Sequence, residues 1–141
     1  MNPTIEKFGY PVTLIKEFDH WLVLLRPAQV TLGSLVLAAK SDATAYSDLL
    51  PAAFAEQAHV VAAIEHALAN FVSFERINYL MLMMVDRQVH FHVIPRYSET
   101  RIWHGIKFPD QGWPKQPRLE TAISLDADQI VRLTAEIALN F

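Results

Sequence analysis

Two histidines separated by one residue stand in the segment QVHFHVIPR, and they are the side chains best suited to chemistry in this sequence. Side chains alternate between the two faces of a β-strand, so a strand here puts Gln88, His90 and His92 on one face. Successive residues on one face lie about 6.6–7 Å apart, so both imidazoles can reach one small ligand. The other face, which we expect to bury against a helix, carries Val89, Phe91 and Val93.

A His-x-His pair supports two chemistries. It can ligate zinc or a similar ion, but such sites need at least a third protein ligand. The loop-region candidates, His20 and His104, lack ligand-like spacing to this strand. Alternatively, a neutral imidazole attacks phosphorus while its neighbour stabilises charge on the phosphate or leaving group. Burial of two histidines for structure alone is less favoured, because Gln88 adds a third polar residue in phase.

The composition narrows the class of protein. The chain has 141 residues, 52% of them hydrophobic and 19% charged, which predicts one globular domain over residues 1–141. The net charge is −3, whereas non-specific binding of nucleic acids needs a basic surface, so this kind of binding is not expected. The absence of cysteine excludes disulfides, thiolate metal sites and cysteine nucleophiles, and fits a cytoplasmic protein. No secretion signal and no membrane span is predicted.

Several short strands must position the histidine segment. Alternating or continuous apolar residues between turn signals predict them. The last two runs are separated only by a short polar turn, which favours an antiparallel hairpin. The predicted strands cover Val12–Lys16, Trp21–Arg26, Ser34–Ala39, Ile77–Val85 and Val89–Pro95.

Two helices complete the pattern. Pro51 suits the first position of a long helix that we expect to end near Phe74. His59 and His66 lie on its solvent side. A second helix begins near Asp126, which forms a capping box with Gln129. The proline-rich and aromatic segment before it should wrap over the sheet, and the order of elements predicts an α+β fold with an antiparallel sheet.

The segment QVHFHVIPR resembles the histidine triad motif, in which His-φ-His-φ-His-φ-φ (φ, apolar) is commonly followed by Pro-Arg. The similarity extends over Trp21–Arg96, in the order of elements seen in the dinucleoside polyphosphate hydrolase branch of that family. This resemblance implies a HIT-like α+β fold with about five antiparallel strands, one long helix and a C-terminal helix. It also implies a homodimer in which two five-stranded sheets join, and the methionine-rich hairpin is compatible with that.

The resemblance assigns roles to individual residues. His90 matches the histidine that attacks the α-phosphorus, and His92 matches the one that contacts the phosphate and helps the leaving group depart. No protein-bound cofactor is implied, although the substrate can carry Mg²⁺. The resemblance and the loop before the motif also indicate three substrate-binding residues: Asn78, Arg26 and Arg87.

The first histidine of the triad is replaced by Gln88. In the family this histidine pairs with the histidine of a Gly-His dipeptide in the third strand, where Ser34 stands here. A buried polar group without a partner costs about 1–3 kcal/mol, so the two replacements are expected to belong together. We therefore predict that Gln88 and Ser34 face each other and support His90 from behind.

These observations predict a nucleotide hydrolase or nucleotidyl transferase. It would cleave a phosphoanhydride or phosphoramidate at the α-phosphate through a covalent nucleotidyl-His90. The expected partner is a small nucleotide, with no nucleic acid and no membrane, and the protein itself is expected to be a homodimer. Two alternatives stay open: a non-catalytic nucleotide-binding protein, and a metal-binding protein that uses His90 and His92.

Overall fold

The computed structural model describes residues 1–141 and shows an α+β fold built on a five-stranded antiparallel sheet, which confirms the predicted fold class. The strands are β1 (Leu14–Glu17), β2 (Trp21–Leu25), β3 (Ala28–Gln29), β4 (Leu35–Ala39), β5 (Arg76–Leu80), β6 (His90–Arg96), β7 (Arg101–Trp103), β8 (Ile106–Phe108) and β9 (Ile123–Ser124). The main sheet has the order β1-β2-β4-β6-β5, while β3 pairs with β9 and β7 with β8.

Three α-helices pack on this sheet: α1 (Pro3–Lys7), α2 (Pro51–Val72) and α3 (Ala127–Ala138). The long helix begins as predicted but ends at Val72, because Ser73 adopts a left-handed φ of 51°. The capping box of α3 is confirmed, with Asp126 accepting from the main-chain N–H of Gln129 at 2.8 Å. No helix combines the length and the apolarity that crossing a membrane requires.

The central strands β2 and β4 are buried along their whole length, which explains their unbroken apolar sequences. On one face they join α2 and α3 in the main core. On the other face, Ile5 of α1 packs with Leu22, Leu24, Val36 and Ala38. Val36 and Ala38 stand opposite the two histidines, so the N-terminal helix covers part of the face that carries them.

The methionine-rich segment departs from the predicted hairpin. β5 pairs with β6 as far as Leu80, which stands opposite His92. The chain then leaves the sheet, so the strand predicted to reach Val85 is wrong beyond Leu80. Met83 has a φ of 51°, a left-handed conformation that ends an extended strand. Met84 and Val85 are 84% and 80% exposed, so this apolar run forms a loop beside the histidines.

The segment after β6 was predicted to wrap over the sheet, and it contributes to both faces: Trp103 and Phe108 join the main core, while Trp113–Leu119 lie on the histidine face. It is anchored by Arg96, which is 4% exposed and donates to both carboxylate oxygens of Asp110, at 2.7 and 3.1 Å. The same guanidinium donates to the main-chain oxygen of Lys115 at 2.8 Å. These bonds hold Trp113–Leu119 beside β5 and the histidines. The segment also includes the short strands β7, β8 and β9.

Candidate active site

His90 and His92 lie at the beginning of β6 with both rings on one face of the sheet. Their ring centroids are 5.2 Å apart, and the residues are 1% and 7% exposed. Phe8, directly after α1, packs against both rings with centroid distances of 5.6 and 5.7 Å. Val89 and Val93 belong to the main core on the other side of the sheet, so the predicted division of faces is confirmed.

The main chain fixes the tautomer of His90. Its Nδ1 atom lies 2.7 Å from the carbonyl oxygen of Gln88. A carbonyl oxygen only accepts hydrogen bonds, so Nδ1 carries the proton and donates it. In the neutral ring, Nε2 then holds the lone pair. That is the form of imidazole that can attack phosphorus.

His92 is held in the opposite tautomer. The Nε–H of Arg26 donates to Nδ1 of His92 at 3.2 Å. A guanidinium has no acceptor, so Nδ1 is unprotonated and the proton of the neutral ring is on Nε2. Burial, together with the positive charge of Arg26 and the electrostatic influence of the neighbouring His90, lowers the pKa of His92 to about 4. At neutral pH His92 is therefore an uncharged hydrogen-bond donor.

Arg26 is itself fixed in place directly after β2. Its Nη1 donates to the carbonyl oxygen of Ala28 at 2.6 Å, which leaves Nε directed at the ring of His92. Burial lowers the pKa of this guanidinium, but arginine stays charged at any physiological pH. The site therefore holds a permanent positive charge next to a neutral histidine.

Replacing Arg26 with alanine should raise the pKa of His92 above its value of about 4. The rise should stop short of the ordinary value near 6.5, because burial is the larger cause of the lowered pKa. Titration of the imidazole resonances by NMR measures this directly. Lys16→Ala, which removes an exposed cation from β1, should leave the titration unchanged. An unchanged titration in Arg26→Ala would contradict the close contact between Arg26 and His92.

The same lowered pKa gives an expected pH dependence of stability. Folded His92 binds fewer protons than unfolded His92 between its pKa of about 4 and the ordinary value near 6.5. Its contribution to the free energy of unfolding is therefore lost as the pH falls through that window.

The histidines open into a pocket of about 410 Å³. Lys7 and Arg26 supply positive charge, and Lys7 also pairs with Asp86 at 2.8 Å, which joins α1 to the methionine-rich loop. Because Asp86 lines the pocket and offsets Lys7, Arg26 supplies the net positive charge, and together with a neutral histidine pair and an apolar wall it suits a phosphate that is attached to an apolar group. The apolar wall consists of Phe8, Leu82, Met83, Met84, Val85 and Leu119.

The structure places the three predicted substrate-binding residues differently. Arg26 lines the pocket and contacts His92. Asn78 lines a neighbouring pocket on the same face, where its Oδ1 accepts from Nη1 of Arg96 at 2.8 Å. Arg87 is exposed and is not part of the wall of the histidine pocket. Of the three, only Arg26 is brought to the histidines.

The predicted pairing of Ser34 with Gln88 is wrong. β4 pairs with β6 from Leu35, opposite Val93, to Ala38, opposite His90. Ser34 lies just beyond one end of this paired region, and Gln88 lies beyond the other end. Continuing the register places Ser34 level with Ile94, six residues from Gln88, which is about 20 Å along an extended chain. Ser34 instead bonds within its own turn, donating to the carbonyl oxygen of Thr31 at 2.8 Å. Gln88 accepts from the hydroxyl of Thr4 at 2.6 Å and contacts His90 through its main chain.

Sequence analysis missed the contribution of the N-terminus. Thr4, Lys7 and Phe8 all reach the histidine segment or its pocket. One signal was present: Asn2 followed by Pro3 is a favourable start for a helix, with asparagine as the cap and proline at the first position. The helix has only five residues, which is too short to show the regular spacing of apolar residues that predicts a helix.

A metal site is not assembled around the pair. No three side chains of His, Cys, Asp or Glu converge in an arrangement that could hold an ion. A zinc site of the usual kind needs at least three protein ligands, so His90 and His92 would require one from elsewhere.

Comparison with solved structures identifies the fold. A histidine triad protein from Sinorhizobium meliloti has a TM-score of 0.70 and 22% identity, covering 100% of this chain and 96% of that one. One from Bradyrhizobium japonicum has a TM-score of 0.67 and 19% identity, covering 97% and 93%. A hypothetical histidine triad nucleotide-binding protein from Sulfolobus tokodaii has a TM-score of 0.67 and 20% identity, covering 97% and 88%. This chain therefore has the fold of histidine triad proteins, although no family model and no curated protein matches its sequence.

Proposed function

We propose that this protein is a nucleotide hydrolase or nucleotidyl transferase that acts through a covalent nucleotidyl-His90. One observation carries the proposal: the two histidines are fixed in opposite tautomers, with the lone pair on Nε2 of His90 and the proton on Nε2 of His92. Nucleophilic attack on phosphorus needs the lone pair on Nε2 of His90. Hydrogen bonding to the phosphate or the leaving atom needs the proton on Nε2 of His92. The fold that the chain shares with histidine triad proteins supports the same function.

In the first step, Nε2 of His90 attacks the α-phosphorus and a P–N bond forms. The bond from phosphorus to the leaving oxygen or nitrogen breaks, and the leaving group takes the electron pair. A leaving nitrogen also takes one proton from the solvent, which the proton released in the second step replaces. The Nε2–H of His92 donates to the leaving atom or to a phosphate oxygen. His90 is now a positive imidazolium ring, which is stabilised by the bond from Nδ1 to the Gln88 carbonyl.

In the second step, water attacks the same phosphorus and the P–N bond breaks. Its electron pair returns to Nε2 of His90, and a nucleoside monophosphate and one proton are released. A different acceptor in place of water makes the reaction a transfer. Arg26 lies close enough to His92 to offset phosphate charge in both steps, and Lys7 can exchange its contact with Asp86 for the substrate.

Purified protein should release nucleoside monophosphate from a phosphoanhydride, a phosphoramidate or both. Dinucleoside polyphosphates and nucleoside phosphoramidates, each with and without Mg²⁺, are the substrates to compare by chromatography. Nucleotide binding without any release would favour the non-catalytic alternative. The absence of both nucleotide binding and nucleotide release would contradict the proposed function and the non-catalytic alternative. Metal analysis of the same sample tests the metal-binding alternative.

We also propose that the chain forms a homodimer through the free edge of β5. This strand is the last in the sheet, so its outer hydrogen-bonding groups have no partner strand. The edge is shorter than predicted, because Leu82 and Met84 lie in the loop after β5. Sedimentation velocity at micromolar concentration should give the mass of a dimer, whereas a stable monomer would contradict this proposal.

A further inference from the structure

A second pocket, of about 670 Å³, lies on the same face of the sheet as the histidines. Its floor is formed by Arg76, Asn78 and Leu80 of β5, and its wall by Trp113–Pro117. Leu80 lines the second pocket and stands directly opposite His92, which lines the first, so the two pockets are neighbours on this face of the sheet. From there the second pocket runs away from His90, along β5 towards Arg76.

The lining of this pocket is positively charged. The side chains of Arg76 and Lys115 are exposed and form no ion pair, and no carboxylate lines the pocket. Arg96 contributes no net charge, because it is paired with Asp110 beneath the floor. Arg76 also donates to the main-chain oxygen of Glu75 at 2.8 Å, and the two unpaired positive charges together attract an anion.

The lining also offers a directed donor and an aromatic surface. Arg96 occupies the Oδ1 atom of Asn78, so the side-chain N–H₂ of Asn78 has no protein partner and remains available. The half-buried ring of Trp113 forms part of the wall next to Lys115. An aromatic ring beside cations is the combination that binds a base together with its phosphates.

We propose that this second pocket binds the leaving nucleotide, with its phosphates at Arg76 and Lys115 and its base against Trp113. The inference rests on the proposed function and adds where the leaving nucleotide binds when the substrate is a dinucleoside polyphosphate. Displacement at phosphorus is roughly in line, so the leaving group departs on the side away from His90. On that side of His92 stands Leu80, its partner on β5, and the second pocket begins at Leu80.

The test compares two substrates that share the transferred nucleotide and differ in the leaving group. One is diadenosine tetraphosphate and the other is adenosine 5′-phosphoramidate, whose leaving group is ammonia. The double variant Arg76→Ala/Lys115→Ala should raise the KM for the tetraphosphate about tenfold, the size expected for two exposed ion pairs, and leave the phosphoramidate unchanged. The bond from Arg96 to Lys115 survives, because it uses the main-chain oxygen of Lys115.

Two further variants make the result specific. Trp113→Ala should raise the KM for the tetraphosphate about fivefold or more, while Trp113→Phe should retain most of the affinity, because it keeps a ring for stacking. Lys16→Ala/Lys107→Ala removes the same charge from exposed positions outside the pocket and should change neither substrate.

Three results would overturn the inference. In the first, Arg76→Ala/Lys115→Ala affects neither substrate. In the second, it affects both equally, as a general loss of folding or of the dimer would. In the third, the control Lys16→Ala/Lys107→Ala matches its effect on the tetraphosphate. Wild-type protein that hydrolyses neither substrate overturns the proposed function itself, and the inference with it.

Discussion

His90→Ala should retain its fold and lower the rate of nucleotide release on the order of 10⁴-fold or more. The expected loss is this large because the variant has no other group in position to form the P–N bond. The neighbouring His92 donates its Nε2 proton and accepts from Arg26 at Nδ1, so it has no lone pair free for attack. Steady-state assays of the best substrate measure the loss.

The matched control for this variant is His59→Ala. His59 is an exposed histidine of α2, so its removal should leave the rate at the wild-type level. Thermal unfolding of both variants separates a catalytic effect from a loss of structure, since His90 is buried. Turnover at the wild-type rate in folded His90→Ala would refute covalent catalysis at this residue.

His92→Ala should lower kcat by about 10²–10³-fold while nucleotide binding persists. The variant keeps the nucleophile but loses the hydrogen bond to the phosphate or leaving atom, which is strongest in the transition state. The single-turnover rate of covalent nucleotide formation should fall by the same factor as kcat. Equilibrium binding of a nucleoside monophosphate gives the affinity for comparison.

A conservative variant distinguishes this role from packing. His92→Gln keeps a side-chain N–H donor and should recover part of the rate that His92→Ala loses, whereas His92→Leu, with similar bulk and no donor, should not. Equal rates in the glutamine and leucine variants would mean that His92 contributes volume and not a hydrogen bond.

The central features of the site were predictable because they depend on local periodicity. Alternation along one strand placed His90 and His92 on a common face and Val93 on the other. Local capping signals likewise located the beginnings of α2 and α3, at Pro51 and after Asp126. Each of these predictions uses residues within a few positions of one another.

The features that were missed depend on contacts between distant parts of the chain. The bond from Arg26 to His92 joins residues 66 positions apart, and the bond from Thr4 to Gln88 joins residues 84 apart. No local pattern encodes which distant side chain meets them. The pairing predicted for Ser34 with Gln88 failed for this reason, because it needed the register of two strands that the sequence does not specify.

The methionine-rich run shows a second limit. Its apolar residues satisfy a strand pattern as far as Val85, yet a strand also needs a partner for its hydrogen bonds. β6 begins at His90, and the left-handed conformation of Met83 takes the chain out of the sheet before then. The resulting loop places apolar side chains in the wall of the histidine pocket.

Identification of the residue that becomes nucleotidylated tests the proposed mechanism most directly. Protein quenched during turnover of diadenosine tetraphosphate or adenosine 5′-phosphoramidate, and digested with trypsin at neutral pH, should yield the peptide Gln88–Arg96, which carries both histidines. We expect fragmentation to place an adenylyl group on His90. An adenylyl group on His92, or product formation with no adduct on either histidine, would contradict nucleophilic catalysis by His90.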